Sequence, residues 1–435
     1  MRLASAAVSA AVIAAGAATL AAAPAAAQPV RVLDLGHGIY EAIGVAVGTG
    51  GRGAGAPGSN PDRVVAVPAS NTFLVTTSAG NVVIDTSLAA VAPAHKQALA
   101  AKSSAPVKAI VLTHAHGDHT GGVRIWREPG TEIIAQRNHA AFARYQRTLA
   151  GFFGRRNAEQ FGLGATPAAA AAAVAFAPTR TFDERDTLTV GDVEFDLIHT
   201  PGETPDHLTV WIPQFKTAFI GDNYYESFPN LYTLRGTMPR WALDYVESLD
   251  TVLALQPDLV LPSHGQPIRG RDEIKRRLTQ YRDAIRFVHD ATVKGMNEGK
   301  DVFTLMREIR LPPALDVGES YGKLTWSIRG IYEGYAGWFD GNPSTMYGDR
   351  SQSYKDVATL AGGADAVASR ARAVAADDPA RALQLTDIAL AAEPGSRAAL
   401  EARLAALQAL DRNSTNSNER GWLQAGIRDV QSKLK

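Results

Sequence analysis

With 435 residues, the chain is long enough for roughly two or three domains and a substantial core. Forty-four basic residues balance 44 acidic ones, so charge gives no pull toward nucleic acid or an anionic membrane surface. The absence of cysteine excludes disulfides, thiolate ligands and a cysteine nucleophile, so any metal must be held by nitrogen and oxygen.

The first residues read as an export signal. Arg2 gives a positive start, an Ala/Val/Ile/Leu-rich segment runs through Leu20, and Ala25-Ala26-Ala27 offers a small-residue cleavage site. Removal of residues 1–27 is expected to leave a periplasmic or secreted chain. No other stretch is long and apolar enough to anchor it in a bilayer. From Val30 to Ile84 the pattern is β-rich, with strands at Phe73–Thr77 and Val82–Asp85 around the turn Ser78–Asn81. Gly48–Pro61, rich in Gly, Ala, Pro and Ser, reads as a mobile loop. A helix is expected between Val91 and Lys102, and the β-branched run Val107–Leu112 reads as a buried strand.

That strand delivers Thr113-His114-Ala115-His116-Gly117-Asp118-His119-Thr120-Gly121-Gly122. Four potential ligands within six residues cannot share one face of a strand or helix, but a turn leaving the strand can fan them out. Neutral imidazoles suit zinc or a similar divalent ion, and the carboxylate adds a hard donor. The stretch therefore points to a metal site, and a binuclear one. It resembles the signature of the metallo-β-lactamase superfamily, whose α/β fold is an αβ/βα sandwich with the metals at one edge. The resemblance implies that His114 and His116 hold one metal while Asp118 and His119 hold the second. The strand pair ending in Asp85 is similar to the opening of that fold.

Farther on, Ile133–Ala135 is a short strand, residues 139–163 look helical, and Ala165–Ala177 is an alanine-rich connector. Val190–Ile198 alternates as a hairpin around Gly191-Asp192. The loop His199-Thr200-Pro201-Gly202-Glu203-Thr204-Pro205-Asp206-His207 follows. Most superfamily members carry a metal-binding His directly after its Pro-Gly, whereas Glu203 stands there in this chain. Glu203 is the favoured ligand and His207 the rival, which otherwise orients a ligand from behind. Leu208–Trp211 reads as the next strand. Asp222 and His264 end two more apolar strands, and the resemblance implies a carboxylate bridging both metals at Asp222 and the last ligand of the second metal at His264.

Beyond Arg271, Ile274, Leu278, Tyr281, Ile285 and Val288 form the stripe of an amphipathic helix. From Asp356 onward, alanine- and leucine-rich helix is punctuated by Asp378-Pro379 and Glu393-Pro394, the pattern of a pair of repeat-type antiparallel helices. Asn230-Leu231-Tyr232-Thr233-Leu234-Arg235-Gly236 resembles a segment of the alkyl sulfatase branch of the superfamily, which also carries Glu at the position of Glu203. Gly334–Pro343 and Gly362–Val367 look like the dimerisation domain of that branch.

The expected organisation is thus a signal peptide (1–27), a catalytic sandwich (28–270) and an all-α dimerisation domain (271–435). The resemblance implies a homodimer with two Zn2+ per chain that hydrolyses alkyl sulfate esters to alcohol and inorganic sulfate. It assigns sulfate holding to Arg235 with Asn230 as a neutral partner, and makes Tyr232 and Arg240 candidates for the pocket wall. Asp118 is expected among the catalytic residues, and no nucleic-acid partner is expected. Three departures stand out: Gly221-Asp222-Asn223 replaces the usual Ala-Glu-Asn, small residues flank His264, and the sterol-carrier-like domain typical of the branch is expected to be lacking after Lys435. A β-lactamase, lactonase or phosphodiesterase on the same fold is the alternative.

Overall fold

The computed structural model describes residues 30–44, 46–47, 67–161 and 176–435. The expected export signal, the Gly48–Pro61 loop and nearly all of the 165–177 connector lie outside the described residues.

Two β-sheets form the centre. Strands β1 (Val32–Gly36), β2 (Ile39–Ala42), β5 (Thr72–Thr77), β6 (Gly80–Ile84), β7 (Val107–Val111), β8 (Glu132–Gln136) and β9 (Arg180–Phe182) make the first sheet in that order, while β3 (Ala46–Val47) pairs with β4 (Val67–Pro68) apart. The second sheet runs β10 (Arg185–Val190), β11 (Val193–His199), β12 (Leu208–Ile212), β13 (Thr217–Gly221), β14 (Leu259–Pro262) and β15 (Ile268–Arg269). Most neighbours are antiparallel, but β6–β7, β7–β8, β8–β9 and β13–β14 are parallel. A parallel step needs a crossover, and helices serve at all four of these: α1 (Ala92–Ala100) between β6 and β7, the short α2 (Gly117–Thr120) and α3 (Val123–Trp126) between β7 and β8, α4 (His139–Thr148) and α5 (Ala150–Phe161) between β8 and β9, and α6 (Ala242–Ala254) between β13 and β14.

Side-chain alternation sorts the layers. Phe73, Val75, Val82, Ile84, Ala109 and Val111 meet Val210, Ile212, Phe219 and Leu261 in a core between the sheets. The alternate residues Leu74, Val83, Ile110 and Leu112 pack outward on Leu99 and Trp126. On the other side, Trp211, Ile220 and Val260 face Tyr245 and Leu249 of α6. This period of two, with both sheet faces buried, is the expected αβ/βα sandwich. It has one consequence for the site: β6 and β7 run parallel, as do β13 and β14, so four carboxyl-terminal strand ends open at one edge.

Helix α7 (Arg271–Asn297) buries the stripe Ile274, Leu278, Tyr281, Ile285 and Val288 as expected, and does so in the same core as α6 and the second sheet. Helices α8 (Val302–Glu308) and α9 (Leu324–Ala336) extend that layer through Leu305, Ile328 and Ile331. The all-α region then continues as α10 (Ser351–Leu360), α11 (Ala364–Val374), α12 (Pro379–Ala392), α13 (Arg397–Asn413) and α14 (Ser417–Leu434), five helices where the sequence pattern suggested a pair. Their contacts are made largely by alanine, among them Ala368, Ala389 and Ala399, and such small side chains leave a faint stripe. Pro379 opens α12, where its missing N–H costs nothing, and Asp378 accepts from the Arg381 N–H. Pro394 instead sits before Ser396, whose hydroxyl caps α13. The single helical stretch expected over 139–163 is broken at Leu149 into α4 and α5. No helix among the described residues is long and apolar enough to cross a membrane.

Candidate metal centre

Strand β7 ends at Val111, and the chain turns so that His114, His116, Asp118 and His119 fan out as expected, with α2 carrying Asp118 and His119. Asp222 arrives from the end of β13 and His264 from the end of β14. Asp118, His119, Asp222 and His264 form one group of potential ligands, and His114, His116 and Asp222 form a second. Asp222 is common to both. Its Oδ2 lies 3.8 Å from His114 Nε2, 3.3 Å from His119 Nε2 and 3.4 Å from His264 Nε2. Asp118 Oδ2 stands 3.2 Å from His264 Nε2 and 3.5 Å from His119 Nε2. His114 Nε2 and His116 Nδ1 approach to 2.8 Å.

The donor set fits divalent cations. His119 Nδ1 is 2.7 Å from Asp85 Oδ2, so it carries a proton there, and Nε2 faces two carboxylates. That Nε2 and Asp222 Oδ1 are buried without a hydrogen-bond partner. Carboxylates and imidazoles converging in this way call for positive charge at their centre, a metal ion or else protons on the imidazoles. Burial alone would lower the His119 pKa, but Asp222, Asp118 and Asp85 outweigh it and hold it well above the ordinary value. Likewise burial is overcome at His264, which Asp222 and Asp118 lift to about 10. His114 and His116 go the other way. Burial, reinforced by neighbouring imidazoles at His114 and by Arg235 and Arg240 at His116, keeps both well below the usual range and therefore neutral.

Glu203 reaches the same edge from the loop after β11. Its Oε1 is 3.7 Å from His116 Nδ1, while Oε2 accepts from Arg240 Nη1 at 2.5 Å and from the Tyr245 hydroxyl at 2.7 Å. Asn223 pins this loop, accepting from the Glu203 N–H and donating to the Thr200 carbonyl. A Cβ on Gly202 would lie 2.5 Å from Asn223 Oδ1, so only glycine fits there. The rival His207 is turned away from the centre. Its Nε2 accepts from the Asp222 N–H at 3.1 Å and its Nδ1 donates to the Thr200 carbonyl at 2.9 Å, so both ring nitrogens are engaged by backbone. Burial lowers its pKa to about 4, which suits this neutral ring. Gly221, at φ +50°, makes room for it: a Cβ there would meet His207 Nε2 at 2.3 Å.

Two supports escaped the sequence reading. Asp85, noted only as the acid ending a strand pair, accepts from the Thr113 N–H and hydroxyl, from His119 and from the Ser263 hydroxyl, joining three strand ends. Ser263, one of the small residues flanking His264, is what lets that bond form. Tyr225, which carried no motif, donates its hydroxyl to Asp222 Oδ2 at 2.7 Å.

The Asn230–Gly236 segment lies against the His116 side. Arg235 Nη2 is 3.3 Å from His116 Nε2, with its guanidinium near the Phe153 ring. Asn230 is buried; its carbonyl accepts from Arg240 Nη1. Tyr232 packs against Gly330 of α9 and makes no side-chain hydrogen bond among the described residues.

Residues 65–264 match the family profile described as Metallo-beta-lactamase superfamily, and residues 304–433 match that described as Alkyl sulfatase dimerisation. A linear primary-alkylsulfatase of a Pseudomonas species is 31% identical over 77% of this chain and 68% of its own length. An alkyl/aryl-sulfatase of Saccharomyces cerevisiae is 29% identical over 61% of this chain, and an (R)-specific secondary-alkylsulfatase of a Pseudomonas species 27% identical over 75%. The chain spans about half the length of these last two, 46% and 54%. The solved structure of a stereoselective inverting sec-alkylsulfatase from a Pseudomonas species superimposes with a TM-score of 0.81, covering 93% of this chain and 66% of that one. At 24% identity, this last likeness concerns the fold.

Proposed function

Because the chain belongs to the alkylsulfatase branch of the metallo-beta-lactamase superfamily, we propose that it hydrolyses alkyl sulfate esters to an alcohol and inorganic sulfate. The observation that carries this reading is the guanidinium of Arg235 at 3.3 Å from His116, which puts an anion-binding fork at the lip of a metal-ligand cluster. His114, His116 and Glu203 would hold one zinc, Asp118, His119 and His264 the other, with Asp222 shared. Such ions, when bound, lower the pKa of water and provide a nucleophile at neutral pH.

The chain's own groups supply the rest. A planar, delocalised sulfate matches the two parallel N–H donors of a guanidinium, and Arg235 offers them on the side where the centre is backed by cations. Asn230 adds a neutral donor. Charge that gathers on sulfate as the alkyl C–O bond breaks falls beside Arg235. Arg240 and Tyr245 fix Glu203, while Asp85 and His207 fix His119 and the Asp222 backbone, so little reorganisation is left for the reacting state.

The region after Arg271 is proposed to pair two copies, an interface that would cover exposed Trp338 (73%), Tyr347 (84%) and Leu360 (88%). Export to the periplasm or medium is proposed from the leader alone. The test is hydrolysis of alkyl sulfates of graded chain length in oxygen-18 water, with elemental analysis of the same protein. Release of sulfate with label in the alcohol supports the reading. Faster turnover of a lactam, a lactone or a phosphodiester than of every sulfate ester would overturn it.

A further inference from the structure

The last helix of the chain reaches back to the proposed sulfate pocket. Trp422 Nε1 donates to Gln160 Oε1 at 3.2 Å, Gln160 Nε2 donates to Asn418 Oδ1 at 2.9 Å, and Asn418 Nδ2 donates to Asn230 Oδ1 at 3.4 Å. Gln160, Asn418 and Asn230 are all at most 2% exposed. A Cβ on Gly421 would lie 1.7 Å from the Gln160 carbonyl oxygen, so glycine is what lets α14 approach this closely.

A side-chain amide can face either way, and a row of three amides alone would have no fixed polarity. Here both orienting contacts are one-way. An indole N–H can only donate, so Gln160 must turn its oxygen to Trp422 and its nitrogen inward. A backbone carbonyl can only accept, and Asn418 Nδ2 also donates to the Tyr321 carbonyl at 2.9 Å, fixing Asn418 independently in the same sense. Asn230 Oδ1 is thereby engaged from behind, and its Nδ2 donates to no described protein group.

We infer that the relay Trp422–Gln160–Asn418 sets the polarity of Asn230, so that its amide presents N–H and not C=O to an anionic ester. Asn418 is then a positioning residue supplied by the C-terminal helix, 188 residues away in sequence. This rests on the sulfate-holding role proposed for Asn230. A reversed amide would aim a carbonyl oxygen at sulfate, so loss of the relay should appear as weaker anion binding.

The test is a double-mutant cycle on the full-length, zinc-loaded protein. Asn418→Leu keeps size and removes both polar ends; it should raise KM for a soluble alkyl sulfate, and Ki for inorganic sulfate, about three- to thirtyfold with kcat less affected. Metal content should not change. Adding Asn418→Leu to Asn230→Ala should cost nothing further, because the relay acts through Asn230. Trp422→Phe removes only the donor at the far end and serves where Asn418→Leu does not fold; it should raise the same two constants by a smaller factor. Multiplicative losses in the double mutant, or a fall in kcat alone, would overturn the relay while leaving the sulfate site intact. If Asn230→Ala leaves KM and sulfate inhibition unchanged, the role of Asn230 itself is wrong and the relay falls with it.

Discussion

The two halves of the candidate metal centre share Asp222 yet are backed by opposite charge. Behind His114, His116 and Glu203 stand two guanidiniums, Arg235 against His116 and Arg240 against Glu203. Behind Asp118, His119 and His264 stands carboxylate: Asp85 grips His119, and Asp222 and Asp118 face both imidazoles. After burial, the pKa directions follow the same divide, with His114 and His116 held down and His119 and His264 pushed up. The difference teaches that one cluster of similar ligands can do two jobs. On the proposed function, the acid-backed half would retain a cation, and the arginine-backed half would leave positive charge to spare for an anionic substrate.

The most severe way to break this comparison is to remove what the halves share. Asp222→Ala should empty both halves of metal and reduce turnover by at least about a thousandfold, read by elemental analysis and steady-state kinetics. Glu203→Gln should act on one half only. About one equivalent of metal should remain, with activity down on the order of a hundredfold, and the protein should also be less stable because Arg240 loses its buried partner. His207→Gln should be milder, since both ring nitrogens of His207 are engaged by backbone groups and not by the ligand cluster. The reverse ranking would mean that His207 is the ligand.

Substitutions that spare the ligands sharpen the divide. Arg235→Lys keeps the charge but loses the fork, so kcat/KM for sulfate esters should fall about tenfold to a thousandfold at constant metal content. Wild-type kinetics in that variant would remove Arg235 from the site. Asp85→Asn weakens the grip on His119 and should cost about tenfold to a hundredfold in metal affinity, confined to one of the two equivalents in a chelator titration. Equal weakening of both equivalents would erase the distinction.

The smallest effect lies outside both halves. Glu41 is buried, and its Oε1 accepts from Asn71 Nδ2, which also reaches the Pro262 and Gly265 carbonyls on either side of His264. Burial raises its pKa from 4.5 to about 8, against the attraction of Arg269 and Arg31. A carboxyl whose folded pKa is raised binds its proton more tightly when folded. Its contribution to stability is therefore full below about 4.5 and is lost as pH rises through about 8. Glu41→Gln cannot ionise, so its melting temperature relative to wild type should rise between pH 5 and pH 9. Parallel melting profiles across that range would remove the effect.

What is local in this protein follows from its residues in order. An apolar, β-branched run has a period of two, and a ligand at its end is placed by that run alone; so His114, His116, Asp118, His119, Asp222 and His264 could be read in one dimension and are found together. Which neighbours complete them depends on how the layers pack. Tyr225 on Asp222, Asp85 across three strand ends and Tyr245 on Glu203 are brought to the edge by the stacking of the two sheets and of α6 on the second. Glu203 and His207 could not be weighed from the loop, because the Asp222 N–H that holds one nitrogen of His207, opposite the Thr200 carbonyl on the other, comes from a different strand end. The link from Trp422 to Asn230 lies farthest from sequence reasoning. Amides carry no periodic signal, Gln160 and Trp422 are 262 residues apart, and their contact exists only because Gly421 lets one helix settle on another.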